Sequence, residues 1–495
     1  MAEAVTEQEL RDHLFECANL IYDRVDPTDY KTYILPLVFY KAIDDTYQDR
    51  YEQALEETGD EELARDEAFH DFQIPEDYRY EKALEQTENL DQFLNQAFNA
   101  LEAENPGKLE NIFRVDFIDE DSLDHDTLHR LLAHLDTKNI SLERVKPDIL
   151  GEAYMDLVRD FAEAEGKDGG QFFTPQEMVR LMVQVLDPEK NNGTVKVYDP
   201  TAGSGGMLVE MAEHYRETAG DPKKDLILKG QEINPGIAPI ARMNLFLHDL
   251  NGEIAREDSL VNPQFTQDGD LEKFDYVLAN PPFSWNWNKD ACQDDEYNRF
   301  EWGMARADRA DYAFIQHMIA SLNDEGKMAC VVPHGVLFRK HESKFREPML
   351  EEDMVEAIIG LPENLFQNNS IPSAILVVNK DKPSDRENQV QFIHAADEEF
   401  YEELSNQNKL TEDGIQEIVE KYRDWETEER VSRVVDLDEI RENDYNLNIA
   451  LYVDTTEPEE DIDVSEELEK LHQLQEEREE IENQMTEHME ALNYE

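Results

Sequence analysis

Strand signals are scarce before Val195, and up to about residue 150 the chain carries helical spacing instead. In "DYKTYILPLVFYKAIDDTYQDRYEQAL" (29–55), Tyr33, Leu37, Tyr40 and Ile43 recur three and four residues apart, the spacing of one apolar helix face. From Val195 onward short apolar runs alternate with amphipathic stretches. The runs "TVKVYD", "DLILKGQE", "FDYVLAN", "GKMACVVP", "MVEAIIGLP" and "SAILVVNK" predict strands, and "GMLVEMAEHYRE" and "PGIAPIARMNLFLHDL" predict helices between them. Apolar strands separated by helices predict an α/β fold with a parallel, doubly wound sheet covered on both faces.

This pattern divides the chain into an N-terminal helical domain (1–150), a sheet domain (151–400) and a C-terminal helical region (401–495), with polar linkers at 381–389 and 454–463. The last 115 or so residues, after "SAILVVNK", read as acidic and helical. In the tail, Val464, Leu468, Leu471, Leu474, Ile481, Met485, Met489 and Leu492 repeat near a heptad, interrupted at Gln475 and Arg478. A helix over 464–492 with so narrow a stripe either takes a partner helix or packs back on its own domain.

Composition changes the picture in one respect. The 495 residues carry 46 Lys and Arg against 116 Asp and Glu, a formal charge of −70. An acidic surface on that scale predicts a halophilic source, because molar salt cuts the Debye length to about 3 Å and screens the self-repulsion. The charge then reports the solvent, so partners are judged from local sites. Hydrophobic residues make up 40%, enough for real cores. Cys17, Cys292 and Cys330 are far apart with no CxxC, which argues against a disulfide framework or a zinc site. With no signal peptide and no apolar run near 18 residues, the chain reads as cytoplasmic with no membrane association.

Two stretches carry chemistry. "VKVYDPTAGSGG" (195–206) is a strand, an acid and a glycine turn opening a helix, where backbone approaches a ligand closely. It lacks the lysine of the phosphate loop GxxxxGK[ST], which argues against nucleoside triphosphate chemistry. With Asp199, the second strand ends in Glu232 and a third region supplies Asp258 in "REDSL". Each acid alone reads as an exposed carboxylate, but three at successive strand ends suit a nucleoside ligand without phosphates, such as S-adenosylmethionine. In "FDYVLANPPF" (274–283) a strand runs into Asn-Pro-Pro, which cannot continue the ladder. The turn frees the side-chain carbonyl of Asn280 and the backbone carbonyl of Pro281, two acceptors for the hydrogens of an exocyclic amine. Phe283 offers a flat face for stacking, and a base inside a duplex reaches such a pocket only by flipping out.

In combination these residues resemble the amino-methyltransferases of DNA, in the adenine-N6 class: "GGQFFTP" (169–175), then "DPTAGSGG", then "NPPF" is similar to their gamma order. Four stretches further resemble the modification subunit of type I restriction–modification systems: "DYKTYILPLVFYKAIDD", "GGQFFTPQEMVRLMVQVL", "ADYAFIQHMI" and "ENDYNLNIALYV". The resemblance covers residues 8–455. "NPPF" alone is shared with protein-glutamine methyltransferases, which give the long helical N-terminal region and the late "DYNLNIALYV" no purpose.

The resemblance implies a Rossmann-like methyltransferase sheet. Gln171, Phe172, Phe173, Thr174, Pro175 and Gln176 would cover the methionine part of S-adenosylmethionine, and Asp199, Thr201, Ala202, Gly203, Ser204 and Gly205 would form the cofactor turn. Glu232 would hold the ribose, Asp258 the cofactor's adenine, and Asn280, Pro281, Pro282 and Phe283 the target base. Thr174 has a second reading as the cap of a helix starting at Pro175. The target as adenine rather than cytosine is itself read through the resemblance. No metal is needed, since the leaving group is a neutral thioether.

For double-stranded DNA, Arg339, Lys340, Lys344 and Arg346 are candidate phosphate contacts, or else helix-face ion pairs. Residues 284–309, with Trp285, Trp287, Phe300, Trp302, Arg299, Arg306 and Arg309, either border the base pocket or pack as aromatic core. No separate module with base-reading basic residues is evident. The resemblance implies a DNA-specificity subunit holding two copies of this chain, joined by a motor–nuclease restriction subunit for cleavage. A self-sufficient adenine methyltransferase and a non-catalytic assembly subunit remain open; intact Asn280, Glu232 and the glycine turn count against the second.

Overall fold

The computed structural model describes residues 6–454 except 23, 26–29, 107, 110–111, 114, 116, 119–122, 165–173, 190–192, 367–370, 398 and 405–406, together with 478, 481 and 485. The chain divides into a unit Met1–Val453 and a unit Asp454–Glu495. Most of the expected tail helix and its stripe lies outside the described residues; Ile481 and Met485, which are described, are 63% and 57% exposed.

In the first unit the N-terminal segment is helical among the described residues. Helix Glu7–Ile21 opens with a capping box in which Thr6 and Glu9 satisfy each other's backbone N–H. Helix Tyr30–Thr58 carries the predicted face: Leu37, Tyr40 and Ile43 are buried, and Tyr33 packs half-buried against the same core. Helices Leu90–Glu104, His125–Leu135 and Pro147–Ala164 complete it. Ile240, Met243, Phe246 and Leu247 of helix Ala238–Leu247 enter this core, with Phe39 edge-on to Phe246 at 5.3 Å. Burying a ring of that size contributes about 2 kcal/mol, so apolar packing seats the helical layer on the sheet domain.

The strands are β1 Val195–Asp199, β2 Leu226–Gln231, β3 Gly252–Ala255, the small hairpin β4 Thr266–Gln267 and β5 Asp270–Leu271, then β6 Phe274–Ala279, β7 Leu322–Pro333, β8 Val355–Gly360, β9 Ser373–Asn379, β10 Gln389–His394, the hairpin β11 Tyr401–Glu403 and β12 Asn408–Leu410, and β13 Ser432–Asp436. Nine form one sheet in the order β13-β10-β8-β9-β7-β6-β1-β2-β3. Alternate side chains enter opposite cores: Ala329 and Val331 of β7 face one, Met328, Cys330 and Val332 the other. Both faces being covered explains why these strands read as unbroken apolar runs.

The expectation of an all-parallel sheet needs correction. β3, β2, β1, β6 and β7 run parallel, but β9 lies antiparallel between β7 and β8, and β13 is antiparallel to β10. No helix occurs among the described residues between β8 and β9, and a parallel return is usually made through a crossover helix. The sheet also does not end at residue 380 or at the expected boundary near 400, since β10 and β13 are members of it. Residues 381–389 join β9 to β10 within the same unit.

β1 lies between β2 and β6, so consecutive connections leave it in opposite directions. That is a topological switch point, where open α/β sheets leave a crevice beyond the carboxyl ends of their strands.

Candidate active site

Register places the candidate residues at one edge. Asp199 of β1 pairs with Gly230 of β2, Gln231 with Ala255 of β3, and Val197 and Tyr198 with Tyr276 and Val277 of β6. The residues that follow these parallel strands, namely the glycine turn, Glu232, Asp258 and Asn280, therefore all leave the carboxyl edge.

Asp199 is 2% exposed, and its Oδ1 accepts the Thr201 N–H at 2.9 Å, the side-chain-to-backbone bond that starts the turn. Burial first, and the nearby charge of Glu232 second, push its carboxyl up to about 8. The Ala202 N–H donates to the Gln231 carbonyl at 3.0 Å, tying the turn to the end of β2. Gly203 and Gly205 adopt φ of 51° and 82°, the left-handed region open to glycine, and helix Gly206–Thr218 begins directly after. A Cβ on Gly205 would lie 3.3 Å from the Ala241 carbonyl oxygen, a tight contact that adds to the cost of the left-handed backbone there.

Glu232 accepts the Gly203 N–H at 2.9 Å on Oε2 and the Asn234 N–H at 2.7 Å on Oε1; burial raises its pKa. It thus braces the glycine turn, a role the sequence did not suggest. Asp258 Oδ1 accepts the N–H groups of Leu260 and Val261 at 2.9 and 3.2 Å. Beside Glu232, Ile233 is 50% exposed, an apolar surface at the crevice that the sequence analysis passed over. A cavity of about 350 Å³ touches Thr174, Ser204 and Gly206 at the start of helix Gly206–Thr218, but the rest of its lining, with Glu152, Arg180, Glu210 and His248, runs along the helices, and it includes none of Glu232, Asp258 and Asn280. Close-approach glycines, a helix N-terminus and carboxyl groups at the strand ends fit a cationic nucleoside such as S-adenosylmethionine.

On the other side of β1, the Asn280 Nδ2 donates to Thr174 Oγ1 at 3.1 Å, while its Oδ1 is buried with no partner among the described residues. An unpaired buried carbonyl costs about 1–3 kcal/mol, and such a group calls for an explanation. Pro281 is buried, Pro282 exposed, and Phe283 half-buried with its ring edge-on to Phe366 at 5.8 Å. The Asp311 Oδ1 accepts the N–H of Ser284, which sits at φ 52°, and so holds the chain as it leaves the corner. The motif "ADYAFIQHMI" gives no hint of this role for Asp311. Burial raises its pKa.

Gln171, Phe172 and Phe173 lie outside the described residues. Helix Gln176–Leu186 has Pro175 at its N-cap and no side-chain cap, so Thr174 does not cap it; its hydroxyl meets Asn280 instead.

The candidate DNA contacts separate. Arg346 is 2% exposed and donates to the carbonyls of Tyr445, Val336 and Arg339 at 2.7, 3.0 and 3.2 Å, so it is an internal cross-brace and not a surface cation. Arg339 lies 3.6 Å from both Asp311 and Glu342. Lys340 and Lys344 are exposed, Lys344 reaching the Met304 carbonyl at 3.3 Å. Trp285 is 43% exposed, whereas Trp287 and Arg299 are buried. Among the described residues no cluster of three or more His, Cys, Asp or Glu side chains forms a metal site, and no helix is long and apolar enough to cross a membrane.

The N-6 DNA Methylase family model matches residues 145–461, and the HsdM N-terminal domain model matches residues 10–135. The type I restriction enzyme MjaVII methylase subunit of Methanocaldococcus jannaschii is 34% identical, over 99% of this chain and 85% of its own length. The HindI methylase subunit of Haemophilus influenzae is 30% identical over 82% of this chain and 93% of its own. The crystal structure of a type I restriction–modification methyltransferase subunit from Streptococcus thermophilus superposes with a TM-score of 0.77 at 30% identity, covering 91% of this chain and all of that one. With the crevice geometry already in place, these matches show that the chain belongs to the N-6 DNA methylase family, among the methylase subunits of type I restriction enzymes.

Proposed function

We propose that the chain transfers a methyl group from S-adenosylmethionine to the N6 amino group of an adenine flipped out of double-stranded DNA, as the catalytic subunit of a type I restriction–modification complex. The observation that carries this reading is the buried, partnerless Oδ1 of Asn280, held by Thr174 at the switch point beside the glycine turn. S-adenosylmethionine supplies, when bound, a methyl group on a positively charged sulfur. The chain's own part is positioning. Asn280 Oδ1 and the Pro281 carbonyl accept the two amine hydrogens, which draws the nitrogen lone pair out of the ring and leaves it nucleophilic. Phe283 stacks on the base, and Glu232 and Asp258 brace the cofactor side. Pre-organised acceptors of this kind act without reorganising at the moment of reaction.

The partners follow the same reading: a specificity subunit holding two copies of this chain through the 464–492 segment, and a motor–nuclease subunit for cleavage, in the cytoplasm. The −70 charge supports a halophilic source, and the melting temperature is then expected to rise steeply between 0.1 and 2 M KCl; a flat response refutes that origin. The function itself is tested by mapping modified bases in host DNA with and without this gene. N6-methyladenine at one sequence motif should vanish on deletion; an unchanged pattern refutes the proposal.

A further inference from the structure

Residues 284–310 join the Asn-Pro-Pro-Phe corner to helix Asp311–Ser321. Sequence alone leaves two readings of this stretch, a border of the base pocket or packed core, and Arg299 is 5% exposed. Every guanidinium N–H has a partner. Nε and Nη2 donate to Asp295 Oδ1 at 2.9 and 2.7 Å, Nη1 to the Ser259 carbonyl at 3.0 Å, and Nη2 to the Leu260 carbonyl at 2.7 Å. The remaining Nη1 hydrogen meets His317 Nδ1 at 3.2 Å. Burial and the Arg299 charge keep His317 neutral, so its Nδ1 accepts from Arg299 and its Nε2 donates to the Tyr198 hydroxyl at 3.1 Å. A second strap parallels the first: Cys292 Sγ donates to the Leu260 carbonyl at 3.2 Å.

These partners are not scattered. Ser259 and Leu260 follow Asp258 directly, Tyr198 precedes Asp199, and Asp295 lies in the loop that flanks the target corner. His317 sits on the helix whose first residue, Asp311, holds Ser284. One planar, five-donor group therefore joins the cofactor side of the crevice to its target side. Lysine offers neither the fork nor the number of donors.

We propose that Arg299 is a positioning residue that couples the two sides, so that S-adenosylmethionine at the Asp258 side orders the loop 284–310 for the target base. The coupling is reciprocal, and DNA in turn tightens cofactor binding. The inference rests on the methyltransferase reading above.

Three of the four tryptophans, Trp285, Trp287 and Trp302, lie in this loop, so intrinsic fluorescence reports on it without DNA. Adding S-adenosylmethionine to the full-length chain should change that fluorescence with the same saturation as calorimetry. It should also raise DNA affinity by about fivefold or more in the assembled complex. In Arg299→Lys, calorimetric binding should persist, while the fluorescence change and the DNA enhancement both fall away, the latter to a ratio near one. A folded Arg299→Lys chain that keeps both responses overturns the proposal. Should that variant not fold, hydrogen exchange on the unaltered protein decides. Cofactor should slow exchange in 258–262 and 284–300 together, and slowing confined to 258–262 overturns the coupling. If calorimetry shows no binding to the unaltered chain, the methyltransferase reading fails, and the inference fails with it.

Discussion

The contact between Thr174 and Asn280 yields the sharpest prediction. Asn280→Ala deletes the buried Oδ1 that has no partner among the described residues and that the proposed reading gives to the target amine. Loss of one pre-organised group of this kind costs about 10²–10³ in kcat, or about 3–4 kcal/mol. Cofactor affinity should stay within about twofold, because the proposed reading places Asn280 on the target amine and not on the cofactor; a uniform-binding effect would appear in KM instead. Thr174→Val acts differently. It removes only the hydroxyl that accepts from Nδ2 at 3.1 Å, and one such bond is worth about 1 kcal/mol, which predicts about a fivefold fall in kcat. Without it the amide is free to turn its NH2 toward the amine, presenting a donor to a donor. If Thr174 acts on transfer through Asn280, the double variant at saturating cofactor should be no slower than Asn280→Ala alone. Single-turnover transfer of labelled methyl groups by the assembled enzyme, on host DNA from a strain lacking this gene, measures all three variants. Near-normal turnover by Asn280→Ala refutes the base-holding role, and multiplicative losses in the double variant refute the orienting role of Thr174.

Gly205→Ala places a side chain at φ 82° and 3.3 Å from the Ala241 carbonyl, so it should lose about 1–2 kcal/mol of stability and weaken cofactor binding; an unchanged melting curve and calorimetric titration would contradict this. Because burial pushes Asp199 up to about 8, its carboxyl is protonated below that pH in the free protein, while a bound cation favours the carboxylate. Affinity for S-adenosylmethionine should then rise by up to about tenfold per pH unit between pH 6 and 8 and level off above, a slope that Asp199→Asn abolishes. Calorimetry showing no slope in the unaltered chain rules this out. Arg346→Ala should destabilise the fold by about 3 kcal/mol, since it leaves three carbonyls unpaired, whereas Lys344→Ala should leave melting unchanged and lower the salt slope of DNA binding by about one; the reverse assignment defeats the structural account.

What the sequence made legible follows from what periodicity can carry. Strands β1, β6, β7, β8 and β9 send buried apolar residues into both cores and β2 into one, so they stand out as runs. β3 has four residues of which two are exposed, so it gives no run at all. Strand direction is a property of connections rather than of runs. β9 reads like its neighbours, yet it lies antiparallel to both β7 and β8. Local charge counting failed at Arg346 because it cannot distinguish a lysine on the surface from an arginine spending its donors on three carbonyls.

The site divides along the same line. Asp199, the glycines, Glu232 and Asn280 are placed by strand ends, which motif and period locate together, so the crevice was foreseeable. The contacts that give these groups their orientation join positions remote in sequence: Thr174 to Asn280 across 106 residues, Gly203 to Glu232 across 29, Ser259 and Leu260 to Arg299 across 40 and 39. Glu232 shows the consequence. Read alone it is a ribose acceptor; in the fold both of its oxygens already take backbone N–H groups, one of them from the glycine turn itself. A substitution there disturbs the turn before it disturbs any ligand contact. Glu232→Gln, which keeps one acceptor oxygen, should therefore lose less cofactor affinity than Glu232→Ala only if the oxygen it retains stays on the Gly203 N–H.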